Sequence, residues 1–233
     1  MTIRAVVFDL DGTLADFNID YRTVRADARS FLIRKGLPAS ILSTNESIFE
    51  MLKKAEIFLK NNGKSAIVAK EIFTEVLAIA EKYELEAAKE TDLLPGVLET
   101  LKTLKKMGLK MGLLTVNSEK STNYILKRFR IAGFFDAVVP RDRVKHVKPS
   151  VEHLQTVLKI LNTEPGKAIV VGDGINDMRC AHDLNGVAVG LSTGFSSPKA
   201  LIAYGADYII TSLTDLPTLI EEVDKTAMKN IHI

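Results

Sequence analysis

The chain contains no tryptophan, one cysteine (Cys180) and one glutamine (Gln155) among its 233 residues. A lone cysteine excludes an intrachain disulfide and agrees with a reducing compartment. The four histidines, His146, His153, His182 and His232, have no ligand spacing with Cys180, which argues against a zinc-type site of thiolate and imidazole. No apolar run approaches the ~20 residues of a membrane span, so no contact with a membrane is expected. Neither sign of charge dominates: 31 Lys and Arg against 29 Asp and Glu leave +2, too little to imply a nucleic-acid partner. The densest basic cluster, Arg141, Arg143, Lys145 and Lys148, reads for the most part as a solvated face. Met1-Thr2-Ile3-Arg4 runs into an apolar segment without a signal-peptide pattern, and a cytoplasmic protein is expected. Scarce glutamine beside abundant Lys and Glu is a composition of the thermophilic kind. There is no internal repeat and no low-complexity linker.

What remains is ordinary globular material, 46% hydrophobic and 26% charged, enough for one large domain or a domain with an insert. Its most informative stretch is Asp9-Leu10-Asp11-Gly12-Thr13. It follows Ala5-Val6-Val7-Phe8, which reads as a buried strand, so two carboxylates stand where a strand ends. Asp and Gly also make plain turns. A carboxylate at a strand end with a second beside it can equally bind a hard cation or attack an electrophile.

From about Asp20 to Lys89 no strand is expected. Ile48, Phe49, Leu52, Ala55 and Leu59 share one helical face, and Val68, Ile72, Val76, Ile79 and Tyr83 share another, with Asn61-Asn62-Gly63 as a break. From Leu93 onward strands and helices alternate. Helices are expected after Pro95-Gly96, over Glu119–Arg130, over Val151–Leu161 with Pro149 in its first turn, around Met178–Leu184 and over Leu213–Lys225. Strands are expected at Leu109–Thr115, Asp136–Val139, Ala168–Val171, Val187–Leu191 and Tyr208–Ile210. Such alternation implies an α/β fold with a Rossmann-like parallel sheet, interrupted by an all-helical insert.

Ligands of parallel sheets bind at the carboxyl edge, so the residues that follow each strand are the candidates. After the first come Asp9 and Asp11. After the second come Thr115-Val116-Asn117-Ser118, where a hydroxyl and main-chain amides at a helix start suit either an N-cap or a bound anion. The third leads to Lys148, and the fourth to Gly172-Asp173-Gly174-Ile175-Asn176-Asp177. Four carboxylates at one edge would repel each other and raise each other's pKa. A cation with Lys148 would resolve this, and Mg²⁺ prefers such oxygen ligands.

In this order the motifs resemble those of the haloacid dehalogenase superfamily of phosphohydrolases, over nearly the whole chain. Asp9 to Thr13 matches the first motif, Thr115 the second, Lys148 the third, and Asp173 with Asp177 the fourth. The insert resembles the family's cap. Leu14-Ala15-Asp16 and the insert's size resemble phosphoglycolate phosphatases, while Gly-Asp-Gly-Ile-Asn-Asp resembles the form in phosphoserine phosphatases. Val116 stands where many relatives carry Asn, and Asn117 comes one residue later.

The resemblance implies a hydrolytic core of residues 1–15 and 93–233 and a helical cap of residues 16–92, moving about hinges near Leu14–Phe17 and Leu93–Pro95. It implies Asp9 as nucleophile and Asp11 as general acid and base. Asp9, the Asp11 main-chain carbonyl and Asp173 would hold Mg²⁺, Thr115, the Val116 amide and Lys148 would bind the phosphoryl oxygens, and Asp177 with Asn176 would support them. Asp11 speaks against haloalkane cleavage, which has no leaving alkoxide to protonate. Asn18, Tyr21, Arg22 and Arg25 follow the first hinge; the arginines are either a solvated helix face or partners for a substrate carboxylate. The expected activity is hydrolysis of a small phosphorylated metabolite such as 2-phosphoglycolate by a monomer or homodimer. A phosphosugar mutase on the same core and a non-catalytic phosphate-binding regulator are the alternatives.

Overall fold

The structure, a computed structural model, describes residues 2–16 and 19–229. Phe17 and Asn18, expected at and beside the first hinge, lie outside the described residues. In chain order the elements are β1 (Ala5–Phe8), β2 (Ala15–Asp16), α1 (Tyr21–Arg34), α2 (Ile48–Asn61), α3 (Ala66–Glu90), β3 (Asp92–Leu93), α4 (Val97–Lys106), β4 (Lys110–Leu114), α5 (Glu119–Arg128), β5 (Ala137–Val139), α6 (Val151–Leu161), β6 (Ala168–Gly172), α7 (Ile175–His182), β7 (Val187–Leu191), α8 (Pro198–Ala203), β8 (Tyr208–Ile210) and α9 (Leu216–Lys229). The chain parts into two compact units. One holds the described residues of 1–17 and 91–233, the other the described residues of 18–90. Among the described residues no helix is long and apolar enough to cross a membrane.

The first unit is built on a six-stranded sheet in the order β5-β4-β1-β6-β7-β8, parallel throughout. The chain leaves β1 toward β4 and β5 and then crosses back to β6 on the other side of β1. The order therefore reverses beside β1, and a crevice at the carboxyl edge results. The strands are apolar on both faces because both are covered. Ala5 and Val7 join Val157 and Leu161 of α6 and Met178 and Ala181 of α7 in one core. Val6, Phe8, Met111 and Leu113, of opposite parity, are equally buried.

The second unit is three helices around their own core. Val24, Ala28 and Leu32 of α1 meet Met51, Leu52, Ala55 and Leu59 of α2 and Ile72, Val76 and Ala80 of α3. A capping box opens α2: Ser47 Oγ accepts from Glu50 N–H, and the Glu50 carboxylate accepts from Ser47 N–H at 2.8 Å.

Several local expectations are corrected. Val68 is exposed, and Ala80 rather than Ile79 is fully inside. Pro149 precedes the N-cap Ser150 of α6 instead of lying in its first turn. α7 begins at Ile175, so Asn176 and Asp177 are on a helix rather than in a loop. β2 and β3 pair antiparallel, Ala15 opposite Leu93 and Asp16 opposite Asp92. Being bonded to each other, they belong to the sheet unit, and the units part between Asp16 and Ile19 and between Glu90 and Thr91, inside the expected 16–92.

α6 lies so close on β4 that a Cβ at Gly112 would stand 2.6 Å from Val157 Cγ1 and 3.2 Å from Leu161 Cδ1. Gly112→Ala is therefore expected to lose about 1–3 kcal/mol by overpacking. Urea unfolding checks this; unchanged stability would mean that α6 moves away at no cost.

Candidate active site

Four loops at the carboxyl edge carry the polar groups. Asp9, directly after β1, is 7% exposed, and its main-chain N–H donates to Val171 O of β6. Lys148, on the loop after β5, is buried, with its Nζ 2.5 Å from Asp9 Oδ1 and 2.7 Å from Asp177 Oδ1. Asp177 is the third residue of α7, and its other oxygen accepts from Gly174 N–H at 3.2 Å. One carboxylate thus caps a helix and neutralises a lysine. Oxygens of Asp9, Asp173 and Asp177 lie within 4.8 Å of one another.

Asp173 is the most closely fitted of these groups. Its Oδ2 accepts from Phe195 N–H at 2.7 Å, and Thr13 Oγ1 donates to its Oδ1 at 3.4 Å. Gly12, at φ +73°, sits against the same carboxylate: a Cβ there would fall 2.3 Å from Asp173 Oδ2. Gly194 approaches from the loop after β7, and its Cβ would fall 2.2 Å from that oxygen. Gly194 and Phe195 are site residues that the four-motif reading missed. The signal was a fifth strand end, Ser192-Thr193-Gly194, at the same edge.

Thr115 is buried at the end of β4. Its Oγ1 accepts from Asn117 N–H at 3.1 Å, which leaves the hydroxyl proton for another acceptor. Ser118 caps α5, accepting from Ser121 N–H. Asn117 Nδ2 donates to Asp11 Oδ1 at 2.9 Å, so Asp11 is tied to the β4 loop and stands outside the side-chain triad of Asp9, Asp173 and Asp177. Arg141, expected on a solvated face with its basic neighbours, is 5% exposed instead, and its Nη1 donates to Val116 O at 3.0 Å. Asn176 is exposed on the first turn of α7. Tyr21, Arg22 and Arg25 are on α1, in the helical unit; Arg22 is exposed, and the half-buried Arg25 stacks 6.0 Å from the Tyr21 ring.

Burial pushes the Asp9 carboxyl well above its ordinary range; Lys148 opposes this, and the charges of Asp177, Asp11 and Asp173 add to it. Burial alone would lower the Lys148 ammonium, but the carboxylates of Asp177 and Asp9 reverse that and hold it above its usual range. Burial also raises Asp173, against the donated Phe195 N–H. Three carboxylates against one ammonium leave excess negative charge in a buried place. An all-oxygen donor set with that charge fits a hard divalent cation. Cys180 is no competitor: burial pushes its thiol up to about 12, and Sγ donates to Ser150 O.

Comparison with known proteins bears on the family and the fold. The family described as haloacid dehalogenase-like hydrolase matches residues 6–190. A Bacillus mycoides (strain KBAB4) protein named pyrophosphatase PpaX is 28% identical over 233 residues, 96% of this chain and all of the relative. Among solved structures, a hydrolase from Pseudomonas syringae shares the fold at TM-score 0.65 and 23% identity, covering 94% of this chain and 99% of its own. A β-phosphoglucomutase from Clostridium difficile does so at TM-score 0.68 and 21% identity, covering 97% and 100%.

His153 of α6 holds the Lys148 loop. Its Nδ1 accepts from Lys148 N–H at 3.1 Å and its Nε2 faces Val139 O at 3.0 Å, which assigns the neutral ring with the proton on Nε2. Burial lowers its pKa from 6.5 to about 4. Between those values the unfolded chain binds the proton and the folded one does not, so stability falls as pH drops through that interval. From pH 7 to pH 5 the wild type should lose about 2 kcal/mol more than His153→Gln, which cannot titrate. Denaturant unfolding at both pH values checks this; equal losses would mean that the folded ring takes up its proton like a free one.

Proposed function

Because the chain belongs to the haloacid dehalogenase-like hydrolases, we propose that it is a Mg²⁺-dependent phosphatase that hydrolyses a small phosphorylated metabolite through an aspartyl-phosphate on Asp9. The chain is a hydrolase acting on phosphate esters. The observation that carries the finer reading is the buried cluster in which Lys148 bridges Asp9 and Asp177 beside Asp173. Asp9 attacks phosphorus, a P–O bond forms to its carboxylate, and the bond to the leaving oxygen breaks. Asp11 gives that oxygen its proton. It then takes one from the water that opens the acyl phosphate, which frees inorganic phosphate and restores Asp9. Thr115, through the hydroxyl proton that Asn117 N–H leaves available, and the Val116 amide bind the phosphoryl oxygens with Lys148. Asp9, the Asp11 main-chain carbonyl and Asp173 would hold Mg²⁺, with Asp177 in support, and the ion would supply positive charge to offset that of the phosphoryl group. The helical unit is the part of the chain to which this reading assigns the choice of substrate.

Turnover in Mg²⁺ should vanish in excess EDTA, and Asp9→Asn should lower kcat/KM by more than ~10³-fold while the fold is kept, the scale expected for a lost nucleophile. Near-wild-type activity of that variant would rule out covalent catalysis. Inorganic phosphate as the product, with no isomerised sugar phosphate, separates the phosphatase from a mutase.

The substrate reading is 2-phosphoglycolate, whose carboxylate would pair with Arg22 or Arg25. A second reading, pyrophosphate, is supported by the name of the Bacillus relative. With phosphoglycolate a charge-assisted pair is worth roughly 1.5–3 kcal/mol over a neutral alkyl phosphate of the same size. That preference in kcat/KM should disappear in Arg22→Ala or Arg25→Ala. A faster reaction with pyrophosphate, untouched by either substitution, would favour the second reading.

A further inference from the structure

Asn117 is 2% exposed, and three of its polar groups are engaged within the sheet unit. Its N–H donates to Thr115 Oγ1 at 3.1 Å, its carbonyl accepts from Arg141 N–H at 3.1 Å, and its Nδ2 donates to Asp11 Oδ1 at 2.9 Å. The peptide before it is fixed as well, since Arg141 Nη1 holds Val116 O at 3.0 Å. The two residues after Arg141 secure the same loop: Asp142 Oδ2 accepts from Glu119 N–H at 2.5 Å, and Arg143 pairs with the Glu119 carboxylate. The Asn117 amide is thus mounted on a braced loop, 106 residues from the carboxylate it touches.

We propose that Asn117 is the positioning residue of Asp11, fixing which oxygen of that carboxyl exchanges the proton, and that Arg141 locks Asn117 in place. The inference rests on the phosphatase reading given above. An amide N–H can only donate. The amide occupies a lone pair of Oδ1 whether Asp11 is ionised or protonated, which favours Oδ2 as the oxygen that carries the proton to the leaving group. Without the amide the carboxyl loses its tie to the β4 loop, and a proton donor displaced by ~1 Å costs on the order of 10²-fold. Asn117 acts on the substrate only through Asp11. Arg141, buried among basic neighbours that face solvent, has its place explained by the same task.

The test compares kcat/KM for an alkyl phosphate, glycerol phosphate, with that for p-nitrophenyl phosphate, whose leaving group departs without a proton. Asn117→Ala should lower the alkyl value by about 10²-fold and the nitrophenyl value by less than about threefold. Nitrophenyl turnover thereby reports an intact site in the same sample. Asn117→Gln, which keeps the amide but displaces it, should show the same selective loss, and so should Arg141→Ala to a smaller extent. In an Asp11→Asn background, adding Asn117→Ala should change nothing further. Equal losses on both esters in the Ala and Gln variants would overturn the proposal, and so would a further loss in the Asp11→Asn background, which would make Asn117 a direct substrate contact. Wild-type protein that turns over neither ester, with Asp9→Asn no different, would instead sink the phosphatase reading and this inference with it.

Discussion

The site depends on one ammonium group shared between two carboxylates. Lys148 stands 2.5 Å from Asp9 and 2.7 Å from Asp177, with Asp173 in the same cluster. Two like charges about 4 Å apart repel by about 4 kcal/mol at the dielectric typical of a protein's outer layers. That is a large fraction of the 5–15 kcal/mol by which a whole domain is stable. A single misplaced partner would therefore be felt by the entire fold. The remaining supports are dipoles: the N–H groups of Phe195 and Gly174 and the hydroxyl of Thr13 each point at a carboxylate oxygen. Folding has to tolerate this charge density.

The parallel sheet makes that tolerable. Its central strands are buried on both faces, and each ends at the same edge, so groups from residues 9, 148 and 173 meet without any of them being near another in sequence. The reversal of strand order beside β1 opens the crevice into which Asp9 projects from the centre and the other loops project from the sides.

Much of this was legible in the sequence because of that double burial. Strands covered on both faces appear as uninterrupted apolar runs, and β7, β8 and α6 have the bounds that their patterns predicted. Asp9, Thr115 and Asp173 were legible because each directly follows such a run, whereas Lys148, nine residues beyond β5, was legible through the resemblance to the family's third motif. Other features leave no such trace. A two-residue strand has no period, so the β2–β3 pair was invisible. Gly172-Asp173-Gly174 reads as a turn, which hid the start of α7 three residues before Met178. The shorter of the two bonds to Asp173 comes from a main-chain N–H, which any residue except proline at position 195 would supply. Arg141 looked like its neighbours Arg143 and Lys145 because its burial comes from the return of the β5 loop onto Val116 O, a tertiary contact with no local pattern.

The short β2–β3 pair bears on how such a protein can change. Ala15 lies opposite Leu93 and Asp16 opposite Asp92, Leu94 N–H donates to Leu14 O at 3.0 Å, and Thr91 Oγ1 bonds Asp16 O at 2.5 Å. The points where the chain leaves the sheet unit and returns are therefore about 5 Å apart, the spacing of any paired strands. To the rest of the sheet unit, some seventy residues of helix have the topology of a hairpin loop. Such a graft point accepts exchange of everything beyond it without a shift in sheet register or in the carboxylates. Recombination at these two positions would exchange the whole helical unit and leave the sheet unit with the same strand ends and the same acidic cluster.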